Sequence, residues 1–324
     1  MTTLRPCRLQ RRVLAILLAA CSLSQVANGA ELIRNMHPLL GLVPVPAPLL
    51  DTESLLSVQF SALNTYLPRR SDTELLLLDG ETARLDLRLQ TEVGRSWLIG
   101  ADLSLLSHGG GVLDGFVDQW HDTFSLPASG RETAPTGRLL YWYQRDGQDV
   151  FRLERATSGV GDMQLWAARL VPGMAHLSLR LGAVMPSGKV NKLSGKGATD
   201  VFAELTASTA SLFDLPINAD LNVGVLRQGG SDLFNDLKSE VYYSHGRLAH
   251  PLGRHWSLRA QYLLHSAAFN SSLRVLGKHS LLLYGGLARQ IAGFGEVSVG
   301  ISEDPEYGTA QDVGFHLAAH LRFR

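Results

Sequence analysis

Asn218-Ala-Asp-Leu-Asn-Val-Gly-Val225 alternates strictly between polar and apolar residues. Successive side chains of a β-strand point to opposite faces, so the four apolar residues share one face and the four others share the opposite face. The segment therefore predicts a strand that meets an apolar medium on one side and a polar medium on the other.

The same alternation recurs along the chain, in the segments 84–90, 175–183, 255–264 and 313–323. Trp256 and Tyr262 fall on apolar faces, where such rings favour a membrane interface. The last segment ends in an aromatic residue, Phe323, which resembles the signal for outer-membrane assembly machinery, although Arg324 follows it. No run of 18 or more apolar residues follows the first thirty, which argues against helical membrane spans. We predict an all-β, transmembrane, antiparallel up-and-down barrel.

Turn residues between the alternating segments predict about fourteen strands, an even number as in single-chain bacterial barrels. The predicted strands are 55–67, 72–92, 96–106, 138–145, 148–154, 161–170, 174–184, 198–209, 216–226, 238–248, 255–265, 279–289, 294–302 and 311–323. The tight turns are expected in the periplasm, at 93–95, 146–147, 171–173, 214–215, 250–253 and 291–293, and the longer connections outside. Because 138–145 and 148–154 are short for a spanning strand, twelve strands is the alternative.

Three regions are expected. Residues 1–30 resemble a signal peptide, with four arginines, a short apolar core and small residues before a cleavage site near Gly29 or Ala30. An alternative is a lipobox at 18–21, in which Cys21 is acylated. Residues 31–54, rich in proline, are expected to form an extended periplasmic lead-in, and residues 55–324 the barrel.

Composition excludes several classes of function. Both cysteines, Cys7 and Cys21, lie in the predicted leader, so cleavage there leaves no thiol for disulfides or metal sites. Removing the leader leaves 26 basic and 30 acidic residues, a net charge of about −4 that disfavours a nucleic-acid partner. No cofactor or metal is predicted.

Segment 107–124 combines a glycine-rich hinge with apolar residues at steps of three and four, which predicts a short amphipathic helix in one loop. The helix is interpreted as lying on the barrel rim in preference to forming a plug or lid. The loop or lid candidates are His108, Asp114, Asp118, Trp120 and His121. A cation site from the acids at 114, 118 and 122 is disfavoured, because spaced acids usually form a solvated helix face.

If the apolar faces meet lipid, the charged residues on the opposite faces point into a common interior. These lumen candidates are Arg84, Asp86, Arg88, Glu92, Arg180, Glu204, Asp220, Arg259, Glu296 and Arg322. Mixed charges can line a hydrated pore with little ion preference, or pair with each other and close it. The sequence leaves both open.

Four motifs resemble the bacterial family called domain of unknown function 3187: residues 78–86, 107–124, 158–162 and 194–200. The resemblance covers most of the chain beyond the leader. It implies an outer-membrane location and supplies no activity, substrate or catalytic residue.

The leading hypothesis is a passive channel for small polar solutes, in contact with outer-membrane lipids and the barrel assembly machinery. One alternative is a closed barrel that binds a ligand or partner through its external loops. The other is a lipid hydrolase or acyltransferase at the rim, for which the pairs Ser178 with His176 and Ser257 with His255 were considered. No Gly-x-Ser-x-Gly motif occurs, and no enzymatic activity is predicted.

Overall fold

The structure is a computed structural model that describes residues 31–49, 53–111, 113–124, 134–171, 174, 176–231, 234–292, 294–306, 308–310 and 313–323. Within the helix at 114–124 it does not describe the side chains of residues 118, 120–122 and 124.

Strands dominate the described residues. They are β1 (Leu55–Arg70), β2 (Glu74–Val93), β3 (Trp97–Gly109), β4 (Leu140–Arg145), β5 (Gln148–Leu153), β6 (Thr157–Val160), β7 (Met163–Leu170), β8 (Leu177–Met185), β9 (Asp200–Thr209), β10 (Asn218–Arg227), β11 (Glu240–Leu252), β12 (Trp256–His265), β13 (Ser280–Ile291), β14 (Gly295–Glu303) and β15 (Val313–Arg322). The helices are α1 (Asp114–Phe124) and α2 (Arg274–Gly277), with 3-10 turns at Leu40–Leu42 and Val190–Lys192. None of the helices in this part of the chain is long and apolar enough to span a membrane.

Twelve of the described strands close a barrel, in the order β1, β2, β3 and then β7 to β15. Each neighbouring pair is antiparallel, and β15 pairs with β1, with Phe60 opposite Leu317. The twelve-strand alternative is therefore confirmed and the count of fourteen is wrong.

The hairpin of β4 and β5 explains the miscount. The first part of β2, Glu74–Asp79, pairs with β4, whereas the part from Glu81 onward pairs with β3. Gly80 lies at this branch, where a side-chain Cβ would come within 3.0 Å of the Gly109 carbonyl oxygen. The strands of this hairpin are only six residues long, which is short for a membrane-spanning strand. They extend the sheet beyond the barrel wall and do not form part of it.

The two ends of the barrel differ. At one end, which we call the turn end, lie the start of β1, the end of β15 and the short turns after β2, β7, β9, β11 and β13. The opposite end, which we call the loop end, carries the longer connections. The turn of β4 and β5 lies at the loop end, since the Asp146 backbone N–H donates to the Thr73 carbonyl, 2.7 Å away, beside the β1–β2 turn. The prediction of Asp146-Gly147 as a periplasmic turn is wrong. The sequence analysis also missed β6, four residues that pair with Leu105–His108 of β3.

The outer surface of the barrel is apolar. Outward residues such as Leu179, Leu221 and Val299 are 46 to 57% exposed, although each is a large aliphatic side chain. At the turn end Trp97 and Trp256 lie on this surface, each with an arginine over its ring, at 5.4 Å and 5.3 Å from the ring centre. A leucine-rich belt with an aromatic border is the surface expected of a barrel in a lipid bilayer.

Inward aromatic rings cover inward glycines of the barrel wall. The Trp166 ring lies where a Cβ on Gly100 would stand, 2.2 Å from its nearest atom, and Tyr284 lies in the same way over Gly286 and Gly300. Aromatic cover of glycine permits the wall to bend while the exposed backbone remains packed.

Candidate functional site

Residues 31–49 lie inside the barrel; we call them the plug. All of them except Gly41 and Pro44 are buried. The plug runs from Glu31 beside β12, reaches the loop end at its 3-10 turn, and returns toward the turn end before β1. The expectation of an extended periplasmic lead-in is thus corrected for residues 31–49. Polar side chains of the wall donate hydrogen bonds to backbone carbonyl groups of this proline-rich segment.

Two wall arginines bind the returning part of the plug. Arg88 of β2 donates to the carbonyl oxygens of Pro48 (2.6 Å) and Ala47 (3.1 Å). Arg180 of β8 donates to the same Ala47 carbonyl at 2.9 Å. Both side chains are at most 1% exposed, so these donors are withheld from bulk water by the plug itself.

Each of these arginines also pairs with an acid of the neighbouring strand. Arg88 lies 2.7 Å from a carboxylate oxygen of Asp102, and Arg180 lies 2.8 Å from one of Glu204. The Trp166 ring lies between the two guanidinium groups, at 5.6 Å and 5.4 Å from its centre. The ion pairs and the ring hold both guanidinium groups in fixed positions, facing the lumen.

The ascending part of the plug makes polar contacts with the wall at several heights. The Leu32 N–H donates to Gln59 (2.7 Å), and Arg34 donates to Asp102 (3.0 Å). Near the loop end, Asn35 donates to the Ser280 hydroxyl at 2.9 Å. These contacts come from strands on different sides of the barrel, so the plug fills the lumen and does not merely line one wall.

The loop end of the lumen is closed by apolar side chains. Leu39, Leu40 and Leu42 of the plug join one buried cluster with residues of the external connections, including Phe234 and Leu276. Rings from three connections meet there, with centroids of Phe234 and Phe269 5.6 Å apart and of Phe151 and Phe234 6.3 Å apart. We call this cluster the apolar cap.

A buried lysine links two of the connections at the loop end. The Lys196 ammonium lies 2.7 Å from Asp200 and donates to Gln228 at 2.8 Å. Burial lowers the pKa of Lys196 from its usual range, although Asp200 acts in the opposite direction. The hydrogen bond from Lys196 to Gln228 joins the loop after β8 to the one after β10.

Eight of the ten lumen candidates lie on the inner face, namely Arg84, Asp86, Arg88, Arg180, Glu204, Asp220, Arg259 and Glu296. The other two, Glu92 and Arg322, are exposed at the turn end, where Arg322 lies 3.0 Å from Glu53. Asp102 lies on the inner face of β3 but was not among the predicted lumen residues. The plug was not predicted either, because its sequence does not alternate between polar and apolar residues.

Two of the loop and lid candidates, His108 and Asp114, have side chains that the structure describes. His108 is buried at the end of β3, hydrogen-bonded to Thr82, and Asp114 accepts from Asn64 at 2.7 Å. Phe116 of α1 packs edge-on against the outward ring of Phe315, 5.1 Å between centroids, so α1 lies against the rim. The side chains of Asp118, Trp120 and His121 lie outside the described residues. In the described part of the chain no group of three potential ligands could hold a metal ion.

In both serine–histidine pairs of the hydrolase alternative, the serine is buried and the histidine is exposed. Ser178 and Ser257 are buried on the inner face, whereas His176 and His255 are exposed at the turn end. Neither pair places its two side chains on one surface.

The chain is similar in fold to solved outer-membrane channels. The COG4313 outer membrane channel from Pseudomonas putida F1 aligns with 85% of this chain and 97% of its own, with a TM-score of 0.52 and 11% identity. The NanC porin aligns with 83% and 99% (TM-score 0.42, 8% identity), and the P. putida toluene transporter TodX with 85% and 91% (TM-score 0.41, 10% identity). The likeness to the COG4313 channel is one of fold. A search of curated proteins finds no match.

Together, the closed barrel, its apolar belt and its likeness in fold to the COG4313 channel place the protein in the bacterial outer membrane. In such barrels the short turns face the periplasm and the longer loops face outward. The sequence profile described as protein of unknown function (DUF3187) matches residues 35–323, and the chain therefore belongs to that family.

Proposed function

We propose that this protein is a passive channel for small polar solutes and that the plug closes it at rest. The carrying observation is that wall arginines from β2 and β8 donate to backbone carbonyls of the plug and not to other wall residues alone. The wall charges are paired with each other, as Arg88 is with Asp102, which makes their burial under the plug tolerable. Charged inner faces are suited to water once the plug has left.

In the chain the plug is followed by residues 50–54 and then by β1, which begins at the turn end. With the predicted cleavage near residue 30, its other end is free. Removal of the plug toward the periplasm then requires no strand of the wall to open. It exchanges the hydrogen bonds of the plug for hydrogen bonds to water. It also exposes buried apolar side chains of the plug, such as Leu39 and Leu40, and this cost makes openings rare.

The barrel is wide enough for such a pathway. Twelve strands spaced about 4.8 Å apart and tilted by about 40° give a backbone radius of roughly 12 Å. The inward side chains reduce this width to that of a small solute. Charges of both signs line the pathway, including Arg88 with Asp102 and Arg180 with Glu204, and so favour polar solutes without selecting one ion strongly.

Single-channel recording in planar bilayers tests the proposal. The full chain is expected to show rare, brief openings, and a variant that lacks residues 31–49 is expected to show large, long-lived openings. Conversion of the folded to the unfolded band on heating, in SDS gels, checks that the variant folds. A folded variant without stepwise current in any salt would remove the channel from consideration.

The apolar cap favours one second candidate, a closed barrel that binds a ligand or partner through its external loops. It holds the connections after β10 and β12 over the outer mouth, and the outer face of these connections is the surface a partner would meet. On this hypothesis the deletion variant stays electrically silent. We propose no enzymatic activity, and the C-terminal alternation to Phe323 remains the proposed contact for the assembly machinery.

A further inference from the structure

The carboxylate of Glu31 occupies a site built by the barrel wall. Arg259 of β12 lies 3.3 Å from one of its oxygens, and Gln261 of the same strand donates to the other. Ser298 of β14 and Tyr284 of β13 also lie beside this carboxylate. Two donors of β12 therefore bind the two carboxylate oxygens of the plug, and two buried hydroxyls without a hydrogen-bond partner in the described residues lie beside them.

Arg259 keeps an acidic partner in the wall when the plug is absent. Arg259 also pairs with Glu296 of β14, which is in turn held by Gln290 at 2.6 Å. Arg259 and Glu296 together are electrically neutral. When the plug is absent, the side of Arg259 that now faces Glu31, the Gln261 amide and the nearby hydroxyls remain without their carboxylate.

From this geometry we infer that the Arg259 site binds the carboxylate group of a solute that passes through the barrel. The transported class is then small carboxylates, and Glu31 takes the place of the solute while the channel is closed. The inference rests on the proposed channel function and names its substrate class.

A carboxylate suits this site better than a phosphate does. The guanidinium and the amide each take one oxygen of the same planar group, as they do with Glu31. A dianionic phosphate would bring a second charge close to Glu296, which a singly charged carboxylate avoids. The site is also small enough to be filled by one side-chain carboxylate.

Binding of solute and docking of the plug exclude each other at this site. A carboxylate in the lumen competes with Glu31 for Arg259 and so favours the state in which the plug is undocked. The same residue pair thus selects the solute and couples its presence to opening.

The test compares the fluxes of gluconate and sorbitol, which match in size and differ in the carboxylate, into liposomes that hold the full chain. In the Glu31→Gln variant, the ratio of gluconate to sorbitol flux is expected to rise, because the site is no longer filled by an anion. Adding Arg259→Gln to that variant is expected to lower the ratio by about fivefold, while sorbitol still passes. Arg289→Gln is the matched control, since it removes an arginine from the outer face, over Trp256, and should leave the ratio unchanged.

The outcomes separate the two proposals. If sorbitol and gluconate both pass but Arg259→Gln leaves their ratio unchanged, the carboxylate site is refuted and the channel stands. If neither solute passes in any folded variant, the channel and the inference that rests on it both fail. The heat-conversion assay on SDS gels confirms folding for each variant.

Discussion

Replacing Arg88 with glutamine is expected to release the plug without removing it. Arg88 donates two hydrogen bonds to the plug, to Pro48 at 2.6 Å and to Ala47 at 3.1 Å. Each bond stabilises the docked state by about 1 kcal/mol, so their loss destabilises it by about 2 kcal/mol. Because 1.4 kcal/mol corresponds to a tenfold change in an equilibrium, the open probability should rise by roughly 30-fold.

The assay is single-channel recording on the full chain, in which the fraction of time spent open is measured at fixed salt and voltage. The Arg180→Gln variant should act in the same direction but more weakly, since it loses one bond to the plug. The double variant should show less than the product of the two effects, because both arginines share the Ala47 carbonyl. An unchanged open probability in folded Arg88→Gln protein would refute the role given to these bonds.

Two further predictions concern the topology and the packing of the wall. The Asp146→Cys variant should react with a membrane-impermeant maleimide on intact cells. The Arg254→Cys variant, in the β11–β12 turn, should react only after the outer membrane is broken. The reverse pattern would contradict the orientation of the barrel. Gly100→Ala should lower the temperature at which the folded band converts on SDS gels, because the new Cβ meets the Trp166 ring and such overpacking costs about 1 to 3 kcal/mol. Gly285→Ala is the control, since a Cβ there has nothing within 4 Å and should leave the conversion temperature unchanged. Equal effects of the two substitutions would refute the packing argument.

The strand pattern of the wall was predictable because a barrel in a bilayer imposes a strict two-residue period. Segment 218–225 became the core of β10, with Asp220 and Asn222 buried inside and Leu221 and Val223 exposed outside. The same period placed eight of the ten lumen candidates correctly on the inner face. It does not report how far a strand extends beyond the membrane, so the two charges near the strand ends, Glu92 and Arg322, were assigned to the lumen although they are exposed.

The plug and the strand count were not predictable by the same reasoning. Residues 31–49 carry prolines and no periodicity, and nothing local distinguishes a segment inside a barrel from one in the periplasm. Their position depends on long-range contacts such as that of Glu31 with Arg259, which are 228 residues apart in the chain. The hairpin of β4 and β5 has ordinary strand and turn residues, and only its short length indicated that it does not cross the membrane.

A disulfide between the plug and the wall tests the central claim most directly. Asn35 donates to Ser280 at 2.9 Å, and the predicted mature chain contains no other cysteine that could interfere with the pair Asn35→Cys and Ser280→Cys. Under oxidising conditions we expect the two cysteines to join and channel openings to cease, and we expect a reductant to restore them. Free thiols after oxidation, or openings that persist in fully crosslinked protein, would contradict a plug that closes the lumen.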